Sequence, residues 1–176
     1  LHGADGYSVK SADGQASYYF SQPFFKIEGT LQLPLGDVSV AGEAWLDREW
    51  SSKPLGSDQT GWDWFSLSFD DGSKLMGFLI RGGSIFTQAT LIDEKGTSVA
   101  YPDGAFTAEP IKQSQVAGRD VPTTWRVMLP DAGIDVVVTA LNTQSWMDTS
   151  IPYWEGPVRV TGSHTGRGYL EMTGYE

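Results

Sequence analysis

Ala44-Trp45-Leu46-Asp47-Arg48-Glu49-Trp50 and, after a polar break, Gly61-Trp62-Asp63-Trp64-Phe65 hold four of the seven tryptophans of this 176-residue chain. Both segments alternate residue by residue as strands do, so bulky rings and carboxylates share sheet faces. A sheet that needed only a core would place valine and leucine there. Tryptophan interleaved with aspartate and glutamate predicts a cavity that grips an apolar molecule and keeps a few polar groups for orientation or chemistry.

The same alternation recurs outward in both directions. Strands are expected at 24–33, 38–50, 61–70, 74–81, 85–92, 97–101, 123–129, 134–141, 153–161 and 168–175, each bounded by Gly, Pro, Asp or Asn. Turn chemistry fits hairpins between them: Asp70-Asp71-Gly72-Ser73, Asp93-Glu94-Lys95-Gly96 and Pro130-Asp131-Ala132-Gly133 all carry residues that tolerate positive φ. A meander this long must curl, because an open sheet of that width would leave edges and a bare apolar face. The predicted fold is all-β, an antiparallel up-and-down barrel of about eight to ten strands. Residues 1–15 read as a lead-in or linker and residues 16–176 as the one barrel domain.

The faces follow from alternation. Between Val38 and Trp50 one face carries Val38, Val40, Gly42, Ala44 and Leu46; the other carries Glu43, Trp45, Asp47 and Glu49. Trp62, Trp64, Ser66 and Ser68 oppose Asp63, Phe65, Leu67 and Phe69. The aromatic-plus-acid face is expected to line the barrel cavity, since eight to ten strands enclose room for one small ligand.

Composition narrows the function classes. A formal charge of −10 repels phosphate backbones and anionic lipid surfaces, so nucleic acid is not an expected partner. The absence of cysteine removes disulfides, thiolate zinc sites and a cysteine nucleophile. His2, in the loose start, and His164, in a glycine-rich turn, are too few and too badly spaced for a zinc site or a Ser-His-Asp triad. No Gly-x-Ser-x-Gly elbow occurs, and the acidic turns lack calcium-loop spacing. No metal or cofactor is expected. Starting at Leu1, the chain reads as a processed product or a piece of something longer.

Five motifs carry a resemblance: Ala16-Ser17-Tyr18-Tyr19-Phe20-Ser21-Gln22-Pro23, Gly42 to Trp50, Gly61 to Phe65, Tyr153-Trp154-Glu155-Gly156 and Gly168-Tyr169-Leu170-Glu171-Met172-Thr173-Gly174-Tyr175. Through them the chain resembles the lipocalin-like AttH-type proteins, often labelled predicted secreted hydrolases and related to carotenoid 1,2-hydratases. The resemblance implies a lipocalin-like (calycin) barrel, the second of two, with an N-terminal barrel before Leu1. It also implies a bacterial periplasmic, envelope or secreted setting, and an envelope ABC transporter as a partner. In the hydratase branch an aspartate donates a proton to an isoprenoid double bond. Asp47 and Trp50 match that branch's Asp-x-x-Trp segment, but Arg48 stands where it carries histidine.

Asp47, among Trp45, Trp50 and Glu43, is a candidate acid, because desolvation and like charge both raise a carboxyl pKa. The plain alternative is an ion pair with Arg48. Asp63, between two tryptophans, is the second candidate, set against a structural bond to an indole or to Arg126. Trp45, Trp50, Trp62 and Trp64 are candidate ligand contacts, with barrel filling as the competing account. Tyr153, Glu155, Tyr169 and Glu171 extend that surface, the two glutamates on strands expected to be neighbours and otherwise pairing with Arg159 or Arg126. Two functions follow: cofactor-free acid-catalysed hydration or isomerisation of an isoprenoid-like substrate, or non-catalytic carriage of a small lipophilic ligand for an envelope transport system. No nucleophile supports hydrolysis.

Overall fold

The computed structural model describes residues 1–52 and 56–175. The chain opens with β1 (Tyr7–Val9), β2 (Ala16–Leu33) and β3 (Gly36–Trp50), which form a three-stranded antiparallel sheet of their own. Then follow β4 (Gly61–Phe69), β5 (Lys74–Arg81), β6 (Phe86–Ile92), β7 (Ser98–Tyr101), β8 (Thr107–Val116), β9 (Arg119–Leu129), β10 (Ile134–Ala140), β11 (Trp146–Met147), β12 (Tyr153–Gly162) and β13 (Gly166–Met172). These ten make one sheet in the order β7-β6-β5-β4-β13-β12-β10-β9-β8, with β11 beside β12. Two meanders, one running out from β4 and one returning to β13, are joined by the β4–β13 seam.

The sheet curls into a lipocalin-like barrel whose inner face is packed solid. Phe65 and Leu67 of β4, Trp125 and Val127 of β9, Val136 and Val138 of β10, Trp154 and Val158 of β12 and Leu170 of β13 meet there, all essentially without solvent contact. Phe106, on the loop before β8, enters this core against Phe65 with ring centroids 6.1 Å apart. It lies over Gly77, where any Cβ would come within 2.6 Å of its ring. Leu75 and Leu79 of β5 face inward, while Met76, Phe78 and Ile80 face outward and are buried too.

That outward burial comes from the first sheet. The opening half of β2 lies over β4 to β6, and Tyr19 packs with Met76, Phe78, Ile80 and Phe86. Ser8 Oγ donates to Gln88 Oε1 at 2.7 Å, fastening β1 to β6. At Pro23 the β2–β3 register slips between Gln22 and Phe25; a residue without an N–H breaks the ladder there. Beyond the bulge the two strands continue as a ribbon exposing Ile27, Leu31, Leu33 and Val38, with Leu35 at its tip. Lys74 anchors the ribbon base through Glu43 at 3.2 Å.

The barrel strands are not all those read from the sequence. The two long strands ending near Leu33 and Trp50 form the covering hairpin, and their places are taken by β8 and β11. β8 escapes the alternation signal because it is a polar edge strand, mostly exposed and interrupted at Pro110. The expectation that the tryptophan face lines the interior is corrected as well: Trp62 and Trp64 point out of the barrel, and Phe65, Leu67 and Phe69 point in.

Candidate functional site

A cleft of about 550 Å³ lies between the covering hairpin and the outer wall of the barrel. Its floor is Trp62 and Trp64 of β4, Phe78 and Ile80 of β5 and Glu171 of β13; its roof is Ser17 and Tyr19 of β2 with Asp47, Glu49 and Trp50 of β3, and Lys10 reaches in from the β1–β2 turn. Period-2 alternation explains the selection. Residues 62 and 64, 78 and 80, and 171 share the outer face of three neighbouring strands, with Glu171 directly opposite Trp64 in the ladder. Each polar group has a defined partner. Trp64 Nε1 donates to Tyr19 Oη at 3.0 Å, and Trp62 Nε1 donates to Glu171 Oε1 at 2.8 Å. Asp47 Oδ1 accepts from Trp45 Nε1 at 2.8 Å and from Ser21 Oγ. Ser21 in turn meets His2 Nε2 at 2.6 Å.

Charge in the cleft is unbalanced. Lys10 Nζ sits 2.7 Å from Glu49 Oε1, which also accepts from Ser17 Oγ at 2.5 Å. The same ammonium lies 4.0 Å from the Phe78 ring centroid and 5.0 Å from that of Tyr19. Burial lowers the Lys10 pKa, and Glu49 opposes the shift. Burial raises Asp47 against the lowering donors Ser21 and Trp45. Glu171 is raised first by burial, with Trp62 opposing and Glu155, Asp47 and Glu49 adding repulsion.

The profile of the AttH-like family matches residues 1–175. The chain belongs to the AttH-like family. No curated protein matches it. A crystal structure of a protein described as AttH from Nitrosomonas europaea is 37% identical and superposes with a TM-score of 0.90 over 99% of the chain, which spans 57% of that protein.

Within this AttH-like domain the candidate residues separate into groups. Asp47, Trp50, Trp62, Trp64 and Glu171 line the cleft, and Trp45 supports it from behind through Asp47. Tyr153, Glu155 and Tyr169 continue the same outer face: Glu155 stands directly across from Glu171, and the Tyr153 ring meets Trp62 at 6.0 Å. Asp63 is elsewhere. It faces the barrel interior, fully buried, accepting from Arg81 Nε at 3.1 Å and Tyr175 Oη at 2.8 Å. Arg126, one of its proposed partners, is instead paired with Asp135 at 2.8 Å.

Sequence reasoning missed Lys10, Tyr19, Phe78 and Ile80, and it placed His2 in a loose start. His2 is 1% exposed, its ring tilted against that of Tyr19 with centroids 4.3 Å apart, and burial lowers its pKa to about 3. Glu49, on the ring-and-acid face of its strand, is held by Lys10 and Ser17. A signal for the floor was present. Leu75 to Ile80 is apolar on both alternating faces, which a strand with one wet face would not be.

Proposed function

We propose that this domain binds a small lipophilic molecule in the cleft between the hairpin and the barrel wall. The observation that carries the reading is a ring-walled opening of about 550 Å³, within the usual ligand-pocket range, in a domain whose barrel interior is already filled. Its aromatic and aliphatic side chains supply contact area, and a few carboxylates and hydroxyls fix orientation. The N-terminal barrel of a longer parent and a bacterial envelope setting belong to the same proposal and rest on the family resemblance.

A second reading adds chemistry, and Asp47 favours it. Its carboxyl faces the cleft and is raised by burial, the state suited to a general acid. The protonated carboxyl would deliver H⁺ to one carbon of an isoprenoid double bond. Water would then add its oxygen to the other carbon and return a proton to the carboxylate. The π faces of Trp62 and Trp64 favour the intervening positive charge. Asp63 has no route to such a substrate, being on the opposite face of β4.

Mass spectrometry of organic extracts from the purified protein tests the first reading. A lipophile that co-purifies with the natural chain and is lost from Trp62→Ala supports it; clean extracts, with no quenching of tryptophan fluorescence by added polyenes, refute it. For the second reading, an isoprenoid alkene is incubated in ¹⁸O-water. Label in an alcohol product that disappears with Asp47→Asn supports acid catalysis, and binding without turnover leaves a carrier.

A further inference from the structure

We infer that the occupant of the cleft is a lipophilic cation, an amine or quaternary ammonium group on an apolar body. The inference rests on the cleft being the binding site and adds the sign of the charge. Among the described residues lining the opening, three are carboxylates, Asp47, Glu49 and Glu171, and one is a cation, Lys10. Lys10 is committed to Glu49 at 2.7 Å. Asp47 and Glu171 have only neutral hydrogen-bond donors: the Ser21 and Tyr19 hydroxyls and the Trp45 indole for the first, which Lys10 also attracts without bonding it, and a single indole for the second.

The three occupant classes differ sharply in what they do to these two groups. A neutral lipophile excludes water from Glu171 and gives nothing in return, so the carboxylate loses hydration with no counter-charge to replace it. An anion adds repulsion from two carboxylates while the lone ammonium is already engaged. A cation reverses the sign, replacing lost hydration with direct attraction. The aromatic walls supply independent support. The protein itself lodges an ammonium, that of Lys10, 4.0 Å from the Phe78 ring, and the indoles of Trp62 and Trp64 present the better faces for a second one. The overall charge of −10 draws cations toward the molecule from a distance.

Three probes of matched chain length, decyltrimethylammonium, decanol and decanoate, all below micelle-forming concentrations, discriminate these classes by tryptophan fluorescence and calorimetry. The ammonium compound is expected to bind about tenfold more tightly than decanol, and decanoate most weakly. Added salt should weaken the ammonium compound and leave decanol alone. In Glu171→Gln, which still accepts from Trp62, the ratio of ammonium to decanol affinity should fall several-fold toward one. Decanol or decanoate binding as tightly as the ammonium compound overturns the charge inference and leaves the cleft reading standing. An absence of binding by all three overturns both. Binding of the ammonium compound with an unchanged ratio in Glu171→Gln overturns the role of Glu171 and with it the inference.

Discussion

Asp63 accepts a hydrogen bond from Arg81 Nε at 3.1 Å inside the barrel, flanked in sequence by two tryptophans that point out of it. Arg81 also donates to the backbone oxygens of Thr173 and Gly174 and lies 4.2 Å from the Tyr175 ring, so the pair ties the end of β5 to the segment after β13. Burial pushes the Asp63 carboxyl up to about 6, against the opposing influence of Arg81 and Tyr175. A carboxyl raised in the folded state binds more protons there than in the unfolded chain, so its contribution is greatest below pH 4 and falls as pH rises toward 6. The expected loss across that window is roughly 2–3 kcal/mol. Urea unfolding at a series of pH values checks it: the difference between the natural chain and Asp63→Asn should slope downward from pH 4 to 6, and a flat difference refutes it.

Gly77 and Phe106 are fitted to one another. In Gly77→Ala the added methyl would displace the Phe106 ring, and a loss of about 1–3 kcal/mol is expected. Phe106→Ala removes the obstacle at the cost of a cavity. Thermal unfolding of the two single variants and the double variant should therefore show strong non-additivity, with Gly77→Ala nearly neutral once the ring is gone.

Tyr19→Phe keeps the ring that packs on Met76 and Phe78 but strips the acceptor from Trp64 Nε1. A half-buried indole N–H without a partner implies a loss of about 1–2 kcal/mol in urea unfolding. The Trp64 emission should shift at the same time. An unaltered spectrum and unaltered stability would contradict the stated geometry.

Shortening the ribbon by replacing residues 29–40 with Asn-Gly keeps the Glu28 and Ala41 pair and the anchor at Lys74. The removed side chains are mostly exposed, so the free energy of unfolding should change by less than about 0.5 kcal/mol. Sedimentation should show less self-association, because a two-stranded ribbon with exposed Leu31, Leu33 and Leu35 offers apolar edges to a second copy.

Period-2 alternation and turn residues made the antiparallel all-β barrel legible, along with nearly every strand from β4 to β13. β8 was hidden, because an exposed edge strand carries polar residues on both faces and here a proline as well. Five of the candidate residues meet in one cleft because Trp62, Trp64 and Glu171 share an outer face that the pattern assigns correctly. What alternation does not encode is which face of a strand is inside. The doubly apolar β5 held that information: its second face needed a cover, and Tyr19 in the first quoted motif provides it. Asp63, which alternation sets on the face of Phe65 and Leu67, goes inside with them, because one residue in a strand is enough to change sides.

The hydrogen bond from Trp62 to Glu171 spans 109 residues of sequence. The β2–β3 hairpin can zip from its own turn within microseconds, whereas the seam that brings β13 to β4 must wait for a long loop to close. The cleft is therefore among the last things this chain makes. During synthesis the roof and most of the floor emerge before β13 and stay unfinished until it arrives, so the doubly apolar β5 and the bare hairpin pass through a vulnerable interval in which misassembly competes with completion.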